Sequence, residues 1–252
     1  MTTLTLPQPV SAGRRILNVV KLNTVNPWTA IVMPWMILGF IFLVNYLIWW
    51  IIFSAVAPED RADAAEGLQY SGASWFIFIY MMVVAIQTIN LTFPLALGYG
   101  VTRRDFWLGT ALTNVLLATM FSIGLTILSI IETATNGWGL GGRMFTTIWF
   151  GETWPERLFV IFTLLVFFLF FGSAIATVYV RWKANGVAGF FIALTLVLVG
   201  LAALVTFSQS WPAVGNFFVT SGVRGTVAWS YIVTVVAAVT GFLFLRRATP
   251  KS

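Results

Sequence analysis

The sequence predicts an all-α integral membrane protein of six transmembrane helices, preceded by an amphipathic interfacial helix and with both termini cytoplasmic. Three observations carry that prediction. Of the 252 residues, 59% are hydrophobic and only 9% charged, whereas a soluble domain covers its surface with roughly 25% charged residues. Six apolar runs contain no Asp, Glu, Lys, Arg or His: 31–56, 75–97, 106–131, 158–180, 187–207 and 227–245. Each is long enough for a bilayer core about 30 Å thick, which takes about 20 helical residues to cross. The charges between the runs are also sorted by side. With six spans, residues 1–30, the second and fourth loops and residues 246–252 share one side. That side holds ten of the fourteen basic residues and one of the eight acids, and an excess of Lys and Arg marks the cytoplasmic face.

Lipid offers backbone groups no hydrogen-bond partners, so only helices and closed barrels cross it. A barrel strand alternates apolar and polar residues over about ten positions, and "LFVIFTLLVFFLFFG" from Leu158 shows no alternation. The first run is too long for a signal-peptide core of about 7–15 residues and has some thirty residues in front of it. With no cysteine in the chain, disulfides and thiolate-bound metals are excluded. The net charge of +6 is scattered along membrane edges rather than gathered into a patch, so nucleic acid is not an expected partner.

Taken in order, residues 1–10 read as a loose tail. "SAGRRILNVVKLNTV", Ser11 to Val25, sets Arg14 and Lys21 against Ile16, Val19 and Val20, the pattern of a helix lying among anionic headgroups; the plainer reading is a charged flank that orients the first span. Asn26-Pro27 breaks the chain ahead of that span. The first loop is short, acidic and external. The third, Glu132 to Arg157, is glycine-rich and then aromatic, with Trp138, Trp149 and Trp154 placed for an interfacial belt. Its acids Glu132, Glu152 and Glu156 read as ordinary loop charges. The fifth loop carries Val214, Phe217, Phe218 and Val219, which favours a short re-entrant segment over docking on neighbouring helices. The domain plan is therefore a cytoplasmic tail with interfacial helix (1–30), a transmembrane domain (31–245) and a second short tail (246–252).

The second loop reads "FPLALGYGVTRRDFWLG". Pro94, Gly98 and Gly100 are expected to end the second helix. Thr102 stands three residues before Asp105, the capping-box spacing that starts another. Arg103 and Arg104 then occupy the first turn of that helix, against its macrodipole. Topology accounts for them; so does a docking surface for an acidic partner.

At this loop the sequence resembles the ABC-2 type permeases, membrane subunits of bacterial ATP-binding-cassette exporters. Gly100-Val101-Thr102-Arg103-Arg104-Asp105-Phe106, with Gly109, carry the resemblance, together with the overall plan of interfacial helix, six spans and re-entrant segment. It implies that residues 100–106 form the coupling helix seated on a separate ABC ATPase subunit, present in two copies, and that two permease subunits pair as a homodimer or heterodimer in the bacterial cell membrane. ATP and Mg would belong to the ATPase subunit, this chain holding no cofactor. Consistent with that division, none of the lysines Lys21, Lys183 and Lys251 follows a glycine, so no Walker A phosphate loop is present.

Polar side chains inside the spans, Asn45, Gln87, Asn90 and Asn114, are candidates for a substrate route or for helix packing. Asn90 and Asn114 are equally far from Thr102, which predicts that they meet at one depth. Small residues four apart, Gly172 and Ala176, Gly189 and Ala193, Ala237 and Gly241, permit close helix approach. The leading functional expectation is an export permease for a hydrophobic or amphipathic substrate such as a lipid, peptide or drug, with the route lined by spans 1, 2 and 5. An ion-coupled transporter or channel is the alternative, although proton relays need Asp, Glu or His in the spans. A non-transporting assembly or immunity protein would share this architecture. No catalytic or metal-ligating set is expected, because a chain without His or Cys lacks most nucleophile–base pairs.

Overall fold

In a computed structural model, residues 11–68 and 71–247 are described, and among them the regular structure is entirely helical. The long elements are α1 (Ala12–Asn23), α2 (Met33–Ala55), α3 (Arg61–Leu68), α4 (Phe76–Gly98), α5 (Arg103–Ala134), α6 (Trp154–Phe207) and α7 (Trp211–Arg247). Five helices are long and apolar enough to cross a membrane: Trp28–Ala55, Ala73–Gly98, Arg103–Ala134, Trp154–Phe207 and Trp211–Arg247. The chain is thus compatible with a multi-pass membrane protein. The tail 1–10 and residues 248–252 lie outside the described residues.

The first three apolar runs become separate helices, each a few residues longer than expected. The fourth and fifth are the two arms of α6, whose 54 residues would extend about 81 Å if straight. At Lys183 (φ 57, ψ −153) the backbone leaves the helix, and the chain reverses there. The rings of Phe171 and Phe190 lie 6.2 Å apart, where a straight helix would separate them by about 28 Å. The expected loop at 181–186 is therefore a one-residue reversal between two helical arms.

α7 repeats the device at Gly222 (φ 61, ψ −175). Phe217 and Trp229 pack at 5.8 Å across it, against about 18 Å along a straight helix. The aromatic fifth loop is thus a short helical arm folded back on the rest of α7. Glycine tolerates such a φ; lysine at 183 is strained by it.

Two clusters fill the bundle. The larger joins α2, α4, α5 and the first arm of α6 with the 142–150 loop through Leu38, Phe78, Phe121, Phe145, Phe150 and Leu165. The smaller gathers Val19, Phe93, Phe106, Trp107, Ala176 and Leu245 at one end of the molecule. Indole rings lie directly over glycines at three places: Trp35 on Gly124, Trp49 on Gly142 and Trp107 on Gly241. Lipid tails are as apolar as these side chains, so close packing of this kind, rather than escape from water, holds membrane helices together.

The small-residue pairs divide by the same measure. A Cβ on Gly172 would stand 2.5 Å from the Met82 carbonyl, and one on Gly241 would stand 2.4 Å from Trp107, but one on Gly189 would meet nothing within 4 Å. The fourth and sixth apolar runs therefore use small residues for packing inside this chain. The fifth does not, and every residue from 184 to 222 is exposed or half-buried.

Candidate functional site

The turn between α4 and α5 is built as the sequence indicates. Pro94 proves to lie inside α4, so the stop is made by Gly100 (φ 76). The Val101 amide bonds the Ala96 carbonyl at 3.0 Å and the Gly100 amide that of Leu97 at 3.0 Å, a Schellman closure around a left-handed residue. One residue later the Thr102 hydroxyl accepts the Asp105 amide at 3.1 Å and starts α5.

The expected coupling residues part into two groups. Gly100, Thr102 and Arg104 are exposed, as is Tyr99 before them, while Val101 and Arg103 are half-buried. Asp105 and Phe106 correct the expectation, because both point inward. The Asp105 carboxylate accepts Arg15 Nε of α1 at 2.7 Å, with 7% of its side chain accessible. Phe106 is fully buried and stacks edge-on to Phe93 at 5.2 Å. The reason is helical geometry: with Arg104 facing outward, the next residues turn about 100° each toward the bundle. Arg103 in turn donates to the Arg246 carbonyl of α7 at 3.1 Å. The turn is thus fastened to α1 on one flank and to α7 on the other.

Beneath it lies a buried amide that sequence patterning did not single out. Asn23 Nδ2 donates to the Thr110 hydroxyl at 3.2 Å, and its Oδ1 accepts from Thr92 at 3.0 Å, so one side chain ties α1 to α4 and α5. Gly109 makes this approach possible, since a Cβ there would stand 2.5 Å from that of Val19. Asn23 is the last residue of α1 rather than part of an apolar run, so no polarity inside a run marked it.

The four intramembrane candidates are not brought together. Asn45 Nδ2 donates to the Ile41 carbonyl of its own helix at 2.8 Å. Gln87 is exposed and lines a cavity of about 250 Å³ with Asn23, Asn26, Thr29, Thr88 and Thr92. That cavity lies between residues 22–30 and α4, and no residue of the fifth apolar run lines it. Asn114 is buried and donates to Ser173 of α6 at 2.9 Å, not to Asn90. Equal distance from the turn did not make them partners, because α4 and α5 each pack mainly on α6. The Asn90 Oδ1 is buried without a hydrogen-bond partner among the described residues, and Pro94 has no N–H to give the Asn90 carbonyl.

Further hydroxyls line the bundle interior at Thr113, Ser122, Thr126, Ser129, Thr163 and Thr177. Each donates to a carbonyl three or four residues earlier in its own helix. They are satisfied locally, as small hydroxyls in dry helix seams are.

At the opposite end of the bundle the third loop is organised by Glu132. Its carboxylate is 1% exposed and accepts Trp138 Nε1 at 3.0 Å, the Met144 amide at 3.0 Å, the Phe145 amide at 3.1 Å, and the Thr146 amide and hydroxyl at 2.8 and 2.6 Å. Far from an ordinary loop charge, Glu132 is the anion around which 138–146 is wrapped. Arg157 is buried beside it and donates to the carbonyls of Gly151 at 3.2 Å and Glu152 at 2.8 Å, and to the Thr133 hydroxyl at 3.4 Å. Glu156 pairs with Arg224, just beyond the Gly222 reversal, at 3.2 Å. Two cavities of about 600 and 540 Å³ flank the loop and share Arg143, Thr146 and Arg157 as a common wall. Among the described residues no group of three or more His, Cys, Asp or Glu is placed to hold a metal ion.

Compared with known protein families, with curated proteins and with solved structures, the chain matches none.

Proposed function

We propose that this chain is the membrane-spanning permease subunit of an ATP-driven exporter. In this reading α6 supplies two spans on either side of Lys183, giving six in all. Residues 211–221 form the re-entrant arm, and the basic end carrying Arg14, Arg103, Arg181 and Arg246 faces the cytoplasm of a bacterial cell. The ATPase is a separate protein, seated in two copies against a pair of permease subunits. The cargo is hydrophobic or amphipathic: a lipid, a peptide or a drug.

One observation carries the reading. The 99–104 turn presents Tyr99, Gly100, Thr102 and Arg104 outward, while its inner side is fastened to α1 through Arg15–Asp105 and to α7 through Arg103. Val19, Phe93, Phe106 and Leu245 pack together just behind it. A partner pushing on this small surface would move α1, α4, α5 and the end of α7 as one body. Nucleotide would drive transport by binding more tightly to one arrangement of that body than to another.

Affinity purification in mild detergent tests the proposal. An ATPase should co-purify, and Tyr99→Ala with Arg104→Ala should release it without lowering the melting temperature, because neither side chain is packed. Asp105 and Phe106 are poor probes, since replacing them disturbs the fold. A chain that moves its cargo alone in nucleotide-free vesicles would overturn the reading.

A further inference from the structure

The 600 Å³ cavity beside the third loop contains polar groups that remain without partners. Arg143 lines it and makes no hydrogen bond or ion pair among the described residues, and the Glu152 carboxylate, also on its wall, makes none either. Thr147 is fully buried on the same wall, and its hydroxyl has no partner among the described residues. Arg157 has five N–H donors, of which three are engaged, so two are spare. Glu156 is spoken for by Arg224, and Glu132 by the loop.

Positive and negative groups that line one cavity ordinarily close on each other. Here Arg143 and Glu152 do not. Arg157, held in place by its bonds to the loop, stands near enough to Arg143 for the two guanidinium charges to repel. Such a gap fits a ligand carrying both signs: an oxyanion for the guanidinium forks, and a hydrogen-bonding ammonium for Glu152.

We infer that this cavity binds a zwitterionic phosphate–amine group of the phosphoethanolamine type, as the headgroup of a phospholipid. The location agrees, because the cavity opens at the end of the bundle, where aromatic Trp149 and Trp154 are exposed beside it and headgroups lie in a spanning protein. The inference needs the membrane reading but not the ATPase, so a failed co-purification leaves it standing.

The full chain in detergent, analysed by native mass spectrometry, provides the test. Phosphatidylethanolamine should be retained several-fold better than phosphatidylcholine, whose trimethylammonium cannot donate a hydrogen bond, and better than phosphatidylglycerol, which has no ammonium. Arg143→Ala should weaken ethanolamine and choline lipids alike, by about tenfold, the worth of one charge-assisted bond. Glu152→Gln should weaken both amine lipids, ethanolamine lipid more than choline lipid, and so abolish the preference between them. Both residues are exposed, so neither variant should lower the melting temperature. Displacement by soluble O-phosphoethanolamine would assign the headgroup alone as sufficient, and failure to displace would assign the intact lipid; both retain the site. Equal retention of the three lipids, or an unchanged ratio in both charge variants, overturns it.

Discussion

Glu132→Gln is the most informative single change in the molecule. The carboxylate accepts from five donors, divided between two oxygens, and is 1% exposed. Glutamine keeps one oxygen and presents an NH₂ where the other stood, so donor faces donor at two or three positions. Bonds to a charged acceptor contribute about 1.5–3 kcal/mol each, and a stranded donor costs about 1–3. Water entering from the adjoining cavity offsets part of this. A local loss of about 3 kcal/mol remains, which corresponds to roughly 100-fold faster opening. Hydrogen exchange in detergent reads it directly: the amides of Met144, Phe145 and Thr146 should lose about two orders of magnitude of protection, while amides in mid-α5 change far less. Trp138 should redden its emission as its indole N–H loses the carboxylate. Unchanged exchange at those three amides would mean that the loop is held by packing and that the carboxylate is incidental.

Other outcomes follow from the same coordinates. Gly109→Ala drives a methyl into Val19 and should destabilise by about 1–3 kcal/mol, whereas Gly189→Ala, in open space, should leave the melting temperature within a degree or so; thermal melts of the pair decide whether α1 packs on α5. Lys183→Gly relieves a backbone strain of about 1–3 kcal/mol and should raise the melting temperature, while Lys183→Ala should not. Thr102→Ala should cost about 1 kcal/mol through loss of the α5 cap, measured by chemical unfolding.

What was legible beforehand was whatever one segment determines by itself. The apolar runs mark helices because lipid demands a self-satisfied backbone, and the Thr102–Asp105 spacing marks a cap because both partners lie within one turn. Aromatic Phe217 and Phe218 in a nominal loop marked the folded-back arm. Contacts between distant segments were less readable. The partner of Asn114, Ser173, depended on which face α5 turns to α6. Asp105 read as free for a partner because Arg15 lies 90 positions away. The role of Glu132 was hidden because its donors are mostly backbone amides, which every residue has. The reversal between the fourth and fifth runs was expected from the charged stretch 181–186, but not that it turns on Lys183 rather than on Asn185 or Gly186, which take such conformations more readily.

Arg15 and Arg246 belong to opposite ends of the sequence, yet both close on the same few residues at the start of α5. Substitutions near the two ends should therefore behave as neighbours in a double-mutant cycle, with a joint effect unequal to the sum of the separate ones. Genetic suppressors of a lesion at the head of the chain are accordingly to be sought at its tail.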